Sequence, residues 1–241
     1  MRNHYGWRAV LVLLLFALGC RLGIAQIGPR YVLDLPAPGG AAKAAGKGQV
    51  QMLGRGMMLL RFQGLSLLML NADVQDDDSG KRWPAVDLVV ATSSRGWQEG
   101  CRALIQLAGH RQLPMIVAEA EGSPPAAAPC YPMQAWDALH LRKGKVRLRA
   151  TAMAGPAGVP GVGGFMLDLG DSHLTYRVYL SAEQSLSEPE LNTLLERLPG
   201  ADMVVWQNGT TQMTHQRGVP AETVTALPAD SGNVVFAARR R

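Results

Sequence analysis

Apolar residues along this chain fall into short blocks whose rhythm changes partway. In the first half the blocks are continuous: Val50–Leu53, Met57–Phe62, Leu65–Leu70, Asp87–Ala91 and Met115–Ala118. Runs of this length, bounded by turn residues, predict strands buried on both faces. Gly54-Arg55-Gly56 and Gln63-Gly64 supply the glycines of tight hairpins between the first three. Over Trp97–Ala108 the period becomes helical, with Trp97, Cys101, Leu104, Ile105 and Ala108 on one stripe. A helix between two continuous strands predicts a parallel pair joined by a crossover.

In the second half the pattern alternates. Val146, Leu148, Ala150 and Ala152 share one face of Lys145–Met153, and Lys145, Arg147, Arg149 and Thr151 share the other. That is the signature of a half-exposed strand. Gly164–Leu169 and Leu174–Leu180 read as a hairpin across Gly170-Asp171-Ser172. Ser187 and Glu190 have capping-box spacing, so a helix starts there, buries Leu191, Leu194, Leu195 and Leu198, and stops at Pro199-Gly200. Met203–Trp206 is a strand, Ala221–Ala226 a short helix and Asn233–Ala237 a last strand. Each half supplies a sheet and a helix to cover it. The expected architecture is therefore α/β, a four-layer αββα sandwich with two sheets face to face.

Three segments stand outside that body. Residues 26–48, rich in Pro, Gly, Ala and Lys, read as a flexible linker, and the single domain spans 49–238. Residues 239–241 form a basic tail; within the body, Gly122–Pro132 is a disordered-looking stretch. Residues 1–25 read as a targeting segment, with Arg2 and Arg8 flanking the apolar run Ala9–Gly19. The run is short for a bilayer span, which takes about 20 residues. Three fates stay open: cleavage before Gln26 after Gly23-Ile24-Ala25, lipidation at Cys20, or retention as an anchor. All three imply an exported protein, periplasmic or membrane-anchored.

Composition changes this picture little. The chain has 241 residues, 47% hydrophobic and 18% charged, which is ordinary for a globular protein. The formal charge of +5 includes Arg2, Arg8 and Arg21 of the first 25 residues, which hold no acid; without them +2 remains. No nucleic-acid partner is expected at that balance. Cys101 lies on the apolar helical stripe, which favours a buried thiol over a disulfide with Cys130, and no zinc-type cysteine spacing occurs.

Candidate chemistry is sparse. His110, His140, His173 and His215 are scattered, with His140 on an alternating strand and His215 in a polar loop. Ser93 and Ser94 occupy a strand-to-helix turn, where hydroxyls cap helices. Ser94 is the candidate nucleophile, although Thr92 replaces the first glycine of a nucleophile elbow. The acidic run Asp73, Asp76, Asp77 and Asp78 reads as a solvated loop. The basic stripe Arg142, Lys143, Lys145, Arg147 and Arg149 reads as the outer face of an edge strand, where such charges discourage aggregation. The alternative for that stripe is docking to an anionic surface.

The order of elements, and the string Gln51-Met52-Leu53-Gly54-Arg55-Gly56-Met57-Met58-Leu59-Leu60, resemble the metallo-β-lactamase superfamily, in its lactonase- and phosphodiesterase-like branch. The resemblance implies a metal site at the end of Asp87–Ala91, where the family carries Ser-His-x-His-x-Asp-His. There the metal turns a bound water into hydroxide. Here Thr92 stands at the serine, Ser93, Arg95 and Gln98 at the histidines, and Trp97 at the aspartate. The family's later ligands correspond to Met153 and Ala154, to Ala182 and Glu183 after Ser181, and to Asp230. Only Glu183 and Asp230 can coordinate a cation, and Arg95 would repel one. The resemblance thus implies a descendant without metal ligands: no cofactor, the ancestral zinc or manganese site lost. Its expected role is non-catalytic binding or scaffolding in the envelope, with a protein or small ligand as partner. The alternative is an esterase, lactonase or phosphodiesterase with a rebuilt metal or serine site.

Overall fold

The structure is a computed structural model, and it describes residues 29–36, 47–54, 56–71, 84–92, 113–118, 129–155, 161–171, 174–182, 186–196, 200–208, 211–218, 225–227 and 233–240. The expected helix over 97–108, the acidic loop and the N-terminal 25 residues lie outside them. Among the described residues no helix is long and apolar enough to cross a membrane.

Two mixed sheets form. Sheet 2, the N-terminal one, is built from β2 (Lys47–Gly54), β3 (Met57–Phe62), β4 (Leu65–Leu70), β5 (Leu88–Ala91), β6 (Met115–Ala118), β7 (Cys130–Met133) and β15 (Asn233–Ala237), in the order β15-β2-β3-β4-β5-β6-β7. β15 to β4 are antiparallel and β4 to β7 parallel. The turn between β3 and β4 has positive φ at both Gln63 (48°) and Gly64 (85°). That is the primed turn whose twist suits a two-residue hairpin.

Sheet 1 runs β1 (Tyr31–Leu35), β8 (Ala138–Lys143), β9 (Val146–Ala154), β10 (Val162–Gly170), β11 (Leu174–Ser181), β12 (Met203–Asn208), β13 (Thr211–Gln216) and β14 (Thr225–Leu227). β16 (Arg239–Arg240) pairs with the start of β11. The inward residues of both sheets, from Leu60, Leu67 and Val90 to Leu148, Phe165 and Val178, merge into one buried cluster. A second buried cluster, including Leu59, Leu68 and Val89, occupies the outer face of sheet 2. On the outer face of sheet 1 lies α1 (Glu188–Glu196), whose Leu191 and Leu195 pack with Met166, Tyr179, Val204 and Trp206. Its capping box forms as expected: Glu190 accepts hydrogen bonds from both the Ser187 amide (2.8 Å) and the Ser187 hydroxyl (2.5 Å). These bonds hold the Glu190 carboxyl below its ordinary pKa. The described residues thus give two sheets sharing a core and one helix outside; the full four-layer arrangement goes beyond them.

Several expectations are corrected. The stretch expected as linker contains β1, parallel to β8, held by the Arg30 amide on the Ala138 carbonyl (2.7 Å) and by the Tyr31 hydroxyl on the Pro132 carbonyl (3.0 Å). The tail residues Arg239 and Arg240 form a strand. Residues 225–227 are strand, not the end of a helix, because they pair with β13. β7 forms in the proline-rich stretch, at the edge of its sheet, where a missing amide is tolerated. The basic stripe is not on an edge: β9 lies between β8 and β10.

Candidate functional site

The two sheets open toward one end, where four described elements finish. Leu70 and Ala91 are paired in parallel, so Asn71 and Thr92 follow side by side from β4 and β5. From sheet 1, Leu180 pairs with Val205, which brings Ser181 and Gln207 to the same end. With Gly56, Met58 and Met69 these residues line a hollow of about 20 Å³. That is room for roughly one water molecule.

Hydrogen bonds hold Thr92, Asn71 and Gln207 there. The Thr92 amide and hydroxyl both donate to the Leu70 carbonyl, at 2.9 and 3.2 Å. The Asn71 amide donates to Gly56 (3.0 Å), and its side-chain nitrogen donates to the Gln207 side-chain oxygen, tying the sheets together across the mouth. Thr92, Ser181 and Gln207 are buried. All described lining residues are neutral. Hydroxyl and amide oxygens already engaged with protein partners do not fit a catalytic zinc or manganese ion, which takes imidazole and carboxylate donors. Among the described residues, no three of His, Cys, Asp and Glu converge.

Of the residues singled out from the sequence, Ser93, Ser94, Arg95, Trp97, Gln98, Glu183 and Asp230 lie outside the described residues. Met153 is half-buried on the outer face of sheet 1 with the α1 cluster. Ala154 lines a separate outer hollow of about 330 Å³ with Tyr179, Leu186 and Leu194. Ala182 follows β11 and donates its amide to the Gly163 carbonyl (2.9 Å). Asn71 and Gln207 were not singled out. The signal was available: like Thr92, each is the first polar residue after a continuous apolar strand.

His215 is not in a loop. It sits in β13 opposite Val204, 4% exposed, and its Nδ1 has no hydrogen-bond partner among the described residues. Burial holds its pKa below the ordinary 6.5. The unfolded chain therefore takes up the proton first as pH falls. The contribution of His215 is full above about 6.5 and shrinks as pH drops through that value toward the lower folded one. His140 acts with the same sign, through burial first and Arg149 second. The expected result is a denaturation midpoint that falls between about pH 7 and pH 5, with part of that fall absent in His215→Gln. Identical pH slopes in the two proteins would contradict it.

No protein-family model matches the chain, and no curated protein matches it significantly. Solved structures are. The metallo-beta-lactamase fold protein YhfI from Bacillus subtilis is 14% identical, with 66% of this chain and 70% of that one covered and a TM-score of 0.44. A B3 metallo-beta-lactamase with an active-site glutamic acid is 11% identical, with 72% and 81% covered and a TM-score of 0.37. A diphosphatase of the PhnP family is 10% identical, with 65% and 72% covered and a TM-score of 0.37. The structural neighbours are thus metallo-β-lactamase fold proteins. At these scores the likeness carries neither a ligand nor a reaction to this chain.

Proposed function

We propose that this chain is an exported, non-catalytic binding protein on a metallo-β-lactamase-like αββα scaffold, with its ligand or protein partner held at the mouth around Thr92. The observation that supports this reading is the mouth itself: neutral side chains, with Asn71 bonded to Gln207 across the gap between the sheets. A hydrolytic metal centre needs a donor set that polarises water. At the positions following Thr92 the chain offers Ser93, Arg95, Trp97 and Gln98 instead. In this reading the sequence position of Arg95, three residues after Thr92, assigns it the fixed positive charge that a metal supplies elsewhere and a preference for an anionic group on the ligand. Export is part of the same reading: the basic flank and apolar run of residues 1–25 support a periplasmic or membrane-anchored protein.

A hydrolysis panel tests this reading. Esters, lactones and phosphodiesters should all remain unturned by the purified protein, with or without added zinc or manganese. Turnover abolished by a chelator would overturn the proposal in favour of a rebuilt metal site. Turnover indifferent to chelator and lost in Ser94→Ala would overturn it in favour of a serine hydrolase.

A further inference from the structure

The outer face of sheet 1 carries a feature separate from the mouth, and it stands whether or not the mouth is catalytic. Residues paired across neighbouring strands share a face. The registers therefore set out two rows on the side facing away from the core. One runs Val32, His140, Arg149, Asp168, Arg177 across β1, β8, β9, β10 and β11. The other runs Asp34, Arg142, Arg147, Gly170, Thr175 across the same strands. Together they line an open trough of about 740 Å³. Pockets for small molecules run from about 300 to 1,000 Å³.

Four arginines face two aspartates in this trough. Arg177 is committed to Asp168. Arg142 bonds Asp34 at 2.8 Å, but the two side chains are 62% and 63% exposed. A pair that open is worth little and leaves the guanidinium free to engage a second anion. Arg147 stands directly opposite Arg142, and Arg149 follows it on the same face. Among the described residues neither Arg147 nor Arg149 has an ion pair. Like charges placed opposite each other on a sheet repel. An anion between Arg142 and Arg147 removes that repulsion, and the planar fork of arginine fits phosphate oxygens two at a time.

We propose that the trough binds an organic diphosphate, one phosphate between Arg142 and Arg147 and the other at Arg149 beside His140. Spacing supports two phosphates. Neighbouring strands lie about 4.8 Å apart, and alternate residues on one strand about 6.6 Å apart, so three flexible guanidiniums converge on one short diphosphate. His140, held neutral at neutral pH by burial and by Arg149, adds an imidazole donor without adding charge. Val32, paired with His140 and 66% exposed, gives the organic part an apolar surface. Asp34 and Asp168 interrupt the basic rows, which disfavours a nucleic acid or an anionic membrane, both of which call for continuous positive surface.

Calorimetric titration of the purified chain tests this, with ADP, inorganic pyrophosphate and phosphatidylglycerol vesicles as probes. ADP should bind saturably at one site, and pyrophosphate more weakly at the same site. The exposed double variant R147A/R149A should keep its unfolding midpoint and bind ADP at least about tenfold more weakly. Lys145→Ala, which removes an exposed charge in the turn between β8 and β9, should bind ADP as the parent does. No saturable ADP binding at millimolar concentration would overturn the proposal. So would unchanged affinity in R147A/R149A, binding of pyrophosphate without ADP, or capture by vesicles without binding of either soluble probe.

Discussion

Truncation of Phe236 to alanine is expected to lower stability by about 3–5 kcal/mol, seen as a reduced urea midpoint with little change in slope. The expectation rests on where the ring sits. Phe236 lies on β15, the edge of sheet 2, directly opposite Gly48 of β2. It is 3% exposed. Its ring stacks on Tyr176 of sheet 1 with centroids 4.1 Å apart, and on Phe62 of its own sheet at 6.1 Å. One side chain therefore closes the edge of the sandwich from both sides. Losing it forfeits the buried ring and leaves a cavity that two sheets cannot easily collapse around. Gly48 is the complement: a Cβ there would fall 2.0 Å from the Phe236 ring. Gly48→Ala should therefore also destabilise, through overpacking by about 1–3 kcal/mol. A cost below about 1 kcal/mol for Phe236→Ala would mean that the sheets do not meet at this edge.

Lys143→Met should cost about 1.5–3 kcal/mol, the range for hydrogen bonds to charged groups. Lys143 ends β8 in sheet 1, yet its ammonium reaches sheet 2. It donates to both carboxylate oxygens of Asp87 at 2.8 Å and to the Gly64 carbonyl at 2.7 Å. Asp87 also accepts from the Ser66 amide at 2.8 Å. The Lys143 and Asp87 side chains are only 14% and 19% exposed, so solvent screens the pair less than it screens Arg142 and Asp34. Methionine keeps most of the stem's packing and strands the carboxylate. Changing Asp87 to Asn as well should recover part of the loss, because the uncompensated charge is then gone. A double-mutant cycle with no coupling between the two positions would rule out this bridge.

Both contacts join the sheets, and neither was legible in the sequence. What was legible is local. Met57–Phe62, Leu65–Leu70, Met115–Ala118 and Asn233–Ala237 were expected with the bounds observed. Each is a compact apolar block, and glycines set off several of them. The capping box at Ser187 and the hairpin from Gly164 to Leu180 follow equally from short-range chemistry. Strands defined by distant partners were missed. Tyr31–Leu35 is a half-exposed edge strand whose partner lies more than a hundred residues away, and the glycine, proline and alanine around it suggest a linker. His215 looked solvated because its neighbours in β13 are polar. Pairing with β12, where it stands opposite the buried Val204, puts it inside the sheet. The basic stripe on β9 was read as an edge because alternation reveals a strand's two faces but not its neighbours. Likewise the ends of β4, β5, β11 and β12 could be recognised one at a time, while the hydrogen bond from Asn71 to Gln207 requires the fold.

The mouth is where sequence and structure bear on the same point. Thr92, Asn71, Ser181 and Gln207 meet where the resemblance implies a metal centre, and they bring neutral side chains, with the Thr92 hydroxyl and the Gln207 side-chain oxygen already engaged by the protein. Metal content of the purified protein, measured by mass spectrometry after equilibration with zinc, manganese and iron and removal of the excess, tests this most directly. The expected result is less than stoichiometric metal, unchanged whether or not chelator is included. One or more equivalents of zinc, manganese or iron retained per chain would contradict it.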